Sequence, residues 1–361
     1  MLKDLTIENY RLFHKFTLDP IARVNLIVGT NNSGKSSLLE AIYLLAGKGS
    51  RSYLYEILHE RDEITSKTVV SESPGTISGY QPAHIFYGRQ LETGRVVKIQ
   101  SKLEKPTALT ISFGETEEDG RGLRYRLLEF KCVQDGAEPV EQSLLVREDG
   151  LLFDPDGLFA NPFLVPPPSF ASPEQQVGFV TTNYLEYDEL AKLWDNITLT
   201  PREDQVVESL RILEPDVERI SFVSRQTFSS GILLKLKGEG NPIPLGSMGD
   251  GMRRVLAVAA SLVSVENGIL LVDEIDTGLY YGVLTDMWRL ILETSVKRNA
   301  QVFATTHSWD CVKSFQEALS EVADDELGRL IRLDPQDDHI QATSYSRDEL
   351  TTAIQHGIEV R

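Results

Sequence analysis

Between an apolar run, Val24-Asn25-Leu26-Ile27-Val28, and an apolar-periodic run, Ser37 to Leu45, the chain reads Gly29-Thr30-Asn31-Asn32-Ser33-Gly34-Lys35-Ser36. The segment matches the phosphate-loop pattern G-x-x-x-x-G-K-[ST] at each fixed position. It restricts the fold because it needs a buried strand in front of it and a helix behind it. The glycines let the backbone wrap with successive N–H groups pointing inward, and the helix N-terminus adds positive potential. Asn31, Asn32, Ser33, Gly34, Lys35, Ser36 and Ser37 are therefore the expected nucleotide contacts. Lys35 reaches the β/γ-phosphates and the Ser36 hydroxyl ligates Mg²⁺. A Gly-rich turn with an incidental Lys-Ser is the simpler alternative, and the strand and helix on either side argue against it.

A second apolar run, Ile269-Leu270-Leu271-Val272, ends in Asp273-Glu274 and follows the turn residues Asn267-Gly268. Such a run reads as a strand buried on both faces of a parallel sheet, and ligands sit at the carboxyl ends of such strands. Asp273 is expected in the magnesium shell. Glu274, directly after it, suits polarising an attacking water, which hydrolysis needs and phosphoryl transfer to a second substrate does not. A third run, Gln301-Val302-Phe303-Ala304-Thr305, leads into Thr306-His307-Ser308, which places His307 within reach of the γ-phosphate beside that base. His14, His59, His84, His339 and His356 show no metal-ligand spacing and read as structural.

Upstream of the Asp-Glu run stands Ser247-Met248-Gly249-Asp250-Gly251, followed by the helical pattern Met252 to Ala259. Ser-x-Gly before a helix is also a plain N-cap. A serine hydroxyl, glycine N–H groups and a helix dipole nevertheless make an anion site. Arg253 and Arg254 add positive charge or act as surface salt-bridge partners.

These segments, in this order, resemble the ABC-type ATPases of the SMC/RecF/OLD group, the AAA-15/AAA-21-like ATPases. Asn9-Tyr10-Arg11 matches the N-[FY]-R pattern of that group's opening strand. The likeness is strong over residues 1–50 and 240–310 and faint over 50–200. It implies that Arg11 touches the nucleotide and that Ser247 and Gly249 cap the γ-phosphate of the opposite subunit in a head-to-tail dimer. It also implies that Asp276 belongs to a loop crossing that interface. Met248 and Asp250 depart from the usual signature, and Gly278-Leu279-Tyr280 stands where Gly-Leu-His is common. Gln81, Gln90 and Gln226 are the candidates for the magnesium-sensing glutamine.

A net charge of −18 opposes DNA binding by the chain as a whole, so nucleic acid is expected through a partner or a local patch. Two cysteines, Cys132 and Cys311, make neither a disulfide framework nor a zinc site. The longest apolar stretch, Val255 to Val265, is too short and interrupted to span a bilayer. With no leader pattern, a cytoplasmic protein is expected.

The expected fold is α/β: a P-loop NTPase with an ABC-ATPase-like head, a mixed sheet flanked by helices, an antiparallel β-lobe and a short helical arm. Residues 1–50 and 215–361 are assigned to the core. Residues 51–153, with alternating runs at 94–100, 108–113 and 125–131, are assigned to the β-lobe. Residues 154–214 are assigned to an insertion: a Pro-rich loop at 154–178, then helices at Leu185–Leu193 and Glu203–Leu213. No heptad run supports a long coiled coil. Only about fifty residues follow His307, too few for the Toprim nuclease of OLD-type proteins; Asp324-Asp325-Glu326 and Asp337-Asp338 read as solvated turns.

The functional expectation is an ATP- and Mg²⁺-dependent hydrolase acting as a homodimeric switch for a separately encoded effector, such as a nuclease, in DNA repair or anti-phage defence. An essentially non-hydrolysing, ATP-fixed scaffold that restrains an effector is the alternative. A small-molecule kinase is disfavoured by Glu274 and the Ser-x-Gly motif.

Overall fold

The computed structural model describes residues 1–69, 75–118, 124–153, 177–182, 187–223, 231–336 and 339–361. The chain opens with a hairpin, β1 (Leu5–Tyr10) and β2 (Phe13–Leu18), and then enters the molecule's centre as β3 (Val24–Gly29). The phosphate loop leads into α1 (Lys35–Ala46), followed by α2 (Arg51–Glu60) and a hairpin of β4 (Ile64–Val69) and β5 (Gly75–Tyr80). A meander comes next: β6 (Val96–Ser101), β7 (Thr107–Glu118), β8 (Arg124–Gln134), β9 (Val140–Arg147) and β10 (Leu152–Phe153). It joins the first hairpin in one antiparallel sheet ordered β10-β9-β8-β7-β6-β1-β2.

The second half of the chain starts with β11 (Val177–Val180), α3 (Tyr187–Ile197) and α4 (Pro201–Leu210). A small sheet of β12 (Val217–Val223), β13 (Gly231–Leu236) and β14 (Ile243–Pro244) precedes α5 (Asp250–Ser264). The chain then alternates through β15 (Ile269–Val272), α6 (Leu284–Arg298), β16 (Gln301–Thr305) and α7 (Trp309–Ser320). It closes with β17 (Gly328–Gln336), β18 (His339–Tyr345) and α8 (Arg347–Gln355). The central sheet runs β11-β15-β16-β3-β17-β18, parallel except for β18.

Alternation along the central strands divides the core. Leu271, Phe303, Ile27 and Ile331 face α1, α2 and the antiparallel sheet. Leu270, Val272, Val302, Ala304, Leu26 and Val28 face the opposite side with α5, α6 and α7. Successive side chains on a strand point to opposite faces, so one apolar run feeds both cores. This explains why these strands read as continuous hydrophobic segments rather than alternating ones.

Three features differ from the expected layout. First, β11 lies within the stretch assigned to the insertion, yet it pairs in register with β15 as an edge strand of the central sheet. The Pro-rich residues 154–176 lie outside the described residues. Second, the helical arm does not project. Leu190, Trp194, Ile197, Val206, Val207 and Leu210 are buried in the same core as α5, because each helix carries a full apolar stripe that water would otherwise meet. Third, α4 begins at Pro201, with the Thr200 hydroxyl accepting from the Arg202 N–H at 3.2 Å. That Thr-Pro start is an N-cap followed by N1 proline. No helix of the described residues is long and apolar enough to cross a membrane.

Candidate active site

The order β15-β16-β3 brings three parallel strand ends side by side. Asp273-Glu274 follow β15, Thr305 ends β16, and the phosphate loop leaves β3. These strand ends border a cavity of about 570 Å³ lined by Asn31 to Ser37, Asp273, Glu274 and His307. Arg11, Leu12, Arg61 to Thr65, His84 and Arg89 complete the lining. Ligand clefts commonly hold roughly 300–1,000 Å³, so the cavity has room for a nucleotide.

The loop needs its glycines. Gly29 has φ +148°, and a Cβ there would lie 2.5 Å from the Leu333 carbonyl oxygen. Gly34 caps α1 in the left-handed region at φ +93°, where a side chain is disfavoured. Lys35 is buried, and its Nζ donates to the Gly29 and Thr30 carbonyls, both at 2.9 Å. Burial lowers the Lys35 pKa against the opposing pull of Asp273 and Glu274. The Ser33 hydroxyl is buried with no hydrogen-bond partner among the described residues, which suits a loop built for phosphate oxygens. Ser36 and Asp273 offer oxygen donors, the set a hard cation such as Mg²⁺ prefers.

The carboxylates are held by their backbone and by Thr305. The Thr305 hydroxyl donates to Asp273 Oδ1 at 2.5 Å and accepts from the Glu274 N–H at 2.8 Å. Glu274 adopts φ +49°, a left-handed conformation that costs a non-glycine residue about 1–2 kcal/mol. The Thr277 hydroxyl donates to Glu274 Oε2 at 3.3 Å. His307 is exposed at the rim, its pKa lowered by burial and by Lys35 despite Glu274, Asp276 and Asp273. The depression keeps its ring neutral near pH 7, so it offers a single N–H and one lone pair.

Arg11 lies at the cavity where the resemblance puts the nucleotide, and its own partners are carboxylates. Its guanidinium lines the cavity but is committed to carboxylates: Nε to Glu40 at 2.5 Å, and two nitrogens to Glu63 at 2.6 and 3.2 Å. Burial opposes its charge and is outweighed by Glu40, Tyr10 and Glu63, so its pKa is raised. Glu40 lies on α1 and also accepts from Arg61 Nε at 2.6 Å. Arg11 therefore ties the phosphate-loop helix to the turn before β4.

Ser247 and Gly249 are not in this cavity. They are exposed at the start of α5, where Gly249 has φ +86°. Asp276 accepts from the Thr306 hydroxyl at 2.5 Å. Gln81 accepts from the Thr65 hydroxyl at 3.1 Å, neither Gln81 nor Gln90 lines the cavity, and Gln226 lies outside the described residues. His84, expected to be structural, lines the cavity with Nδ1 at 3.5 Å from Glu63. Of the two arginines read as added positive charge or surface salt-bridge partners, Arg254 is fully buried and Arg253 is exposed. Thr305 was missed as a functional residue; its place at the end of an apolar run before the histidine is the signal that could have found it.

A family model described as "AAA domain, putative AbiEii toxin, Type IV TA system", AAA_21, matches residues 24–310. That span contains the phosphate loop, the signature segment, Asp273-Glu274 and His307. The chain belongs to the AAA_21 family. This AAA_21 protein is an ABC-type, SMC/RecF-like ATPase with a P-loop head. It is 22% identical to an "ATP/GTP phosphatase" of Helicobacter pylori over 97% of each chain. A DNA replication and repair protein RecF of Pseudoalteromonas translucida is 42% identical over 65 residues, 17% of this chain and 18% of RecF. The Smc head domain with an extended coiled coil bound to the C-terminal domain of ScpA, derived from Pyrococcus furiosus, matches over 99% of each chain. The TM-score is 0.51 at 13% identity, a likeness of fold.

Proposed function

We propose that this ATPase binds Mg-ATP in the cavity and hydrolyses it as an ATP-gated homodimeric switch. The reading is carried by the meeting of Lys35, Asp273, Glu274 and His307 at three adjacent strand ends. Lys35 and the loop N–H groups hold the phosphates, and Ser36 with Asp273 would hold Mg²⁺. The cation would neutralise charge on the phosphate oxygens when bound. Glu274 accepts a proton from the attacking water as its oxygen bonds the γ-phosphorus and ADP departs. The neutral His307 ring hydrogen-bonds the γ-phosphate.

The exposed Ser247–Gly249 end of α5 lies outside the cavity lining, which supports its use on the ATP of a second copy. In that dimer each nucleotide is held by one chain's loop and capped by the other's α5. The switch acts on a separately encoded effector in DNA repair or anti-phage defence, and any nucleic acid is met through that effector or a local patch. Acting away from the membrane, the protein works in the cytoplasm.

Light scattering of the Glu274→Gln protein with and without Mg-ATP tests the switch. A doubling of mass only with Mg-ATP is expected. A monomer under both conditions contradicts the trans role of Ser247 and Gly249.

A further inference from the structure

Glu274 carries two demands that conflict locally. Its carboxylate must face the cavity, and its backbone must hold φ +49° to put it there. Two hydroxyls grip the residue: that of Thr305 on its N–H and that of Thr277 on its Oε2. A further grip comes from a residue of α5 that lines no part of the cavity.

Arg254 is wholly buried on α5, one turn after Asp250. Its Nη1 donates to the Thr181 carbonyl at 2.8 Å. Its Nη2 donates to the Glu274 carbonyl at 2.9 Å and also to the Asp273 carbonyl. One guanidinium therefore binds the carboxyl end of β11 and both peptide oxygens of the Asp-Glu pair. A guanidinium is rigid and planar, with donors in a fixed fork, so these carbonyls are held in one relative orientation. A lysine has a single donor centre and cannot reproduce that fork. Arg254 lines no part of the cavity, so its effect on the nucleotide must pass through the peptide it holds.

We propose that Arg254 is a positioning residue for the general base: it holds the left-handed Glu274 backbone so that the carboxylate meets the attacking water. The proposal rests on Glu274 being that base. A displacement of about 1 Å at a reacting group costs on the order of 100-fold in rate, so loosening this peptide should be felt in turnover and not in binding.

The test is a double-mutant cycle on the full chain, read by phosphate release from Mg-ATP, with ADP affinity measured on each protein to verify an intact site. Arg254→Lys should lower kcat about 10- to 100-fold, with KM and the ADP Kd within about twofold. In the Glu274→Gln background the same substitution should change the residual rate by less than about threefold, because groups that act as a unit are not additive. An equal loss in both backgrounds would show general damage to the site and overturn the proposal. So would a wild-type kcat for Arg254→Lys while Glu274→Gln is inactive. If Glu274→Gln itself turns over like wild type, the assignment of the base fails, whatever Arg254 does. Arg254→Gln, which buries no charge and donates through one amide, is the second variant should the lysine protein not fold, with the same expected cycle.

Discussion

Arg11→Ala removes the hub of a buried charge chain, and the structure fixes what is left behind. Arg11, Glu40 and Glu63 have side chains 8%, 5% and 10% exposed. Without the guanidinium, Glu40 keeps Arg61 Nε at 2.6 Å and the Tyr10 hydroxyl at 3.2 Å. Among the described residues, Glu63 keeps only the His84 ring, its Nδ1 at 3.5 Å. One carboxylate thus stays paired and the other does not. Breaking a buried pair by removing one partner costs about 3–5 kcal/mol, and the partial rescue of Glu40 places this case near the middle, about 4 kcal/mol. Urea unfolding of the two proteins, with the slope checked for constancy, measures it. The double variant Arg11→Met/Glu63→Leu should recover about half of that loss or more, since an apolar replacement strands no charge. A loss below about 1 kcal/mol for Arg11→Ala, the worth of an exposed pair, would refute the claim that the chain of charges is dry.

Glu56, half-buried on α2, has its pKa raised to about 7 by burial, with Glu189 and Glu60 adding and the Tyr43 hydrogen bond opposing. The folded state therefore binds its proton more tightly than the unfolded state does. This stabilisation is fully present below about pH 4.5 and is lost as pH rises through 7. Glu56→Gln should match wild type at pH 5 and exceed it by about 2–3 kcal/mol at pH 8.5 in denaturant titrations; a constant difference across that range would contradict the burial argument. Thr305→Val severs the links to Asp273 Oδ1 and the Glu274 N–H, each of which involves a charged or catalytic group worth about 1.5–3 kcal/mol. Phosphate release should fall about 10- to 100-fold, and unchanged turnover would remove Thr305 from the site. Lys35→Ala should weaken ADP binding about 10- to 100-fold by the same magnitude per charged hydrogen bond, read by calorimetry, with wild-type affinity as the contrary result.

Residues that act through local pattern were legible in the sequence; residues that act through distant partners were not. The loop from Gly29 to Ser36 announces its strand and helix because spacing within eight residues sets its conformation. The meander was visible for the same reason, as period-2 runs broken by glycine. The four-residue β11 gains its identity only by pairing with β15, some ninety positions later in the chain. The hold of Glu63 on Arg11 spans 52 residues and has no local pattern to reveal it. The role of Arg254 stays open between added positive charge and a surface salt bridge, because nothing in its neighbourhood reveals that the carbonyls of Thr181, Asp273 and Glu274 converge on it. The apolar stripes of α3 and α4 were read as an arm because their binding surface, α5, is about fifty residues away.

In the proposed mechanism Glu274 drives ATP hydrolysis in a site whose nucleotide binding depends on Lys35. Single-turnover phosphate release from Mg-ATP, measured on wild type and Glu274→Gln at protein concentrations above the Kd, tests it most directly. Wild type should release phosphate, Glu274→Gln should do so at least about 100-fold more slowly, and both should bind equal amounts of ATP. Equal rates in the two proteins would contradict it.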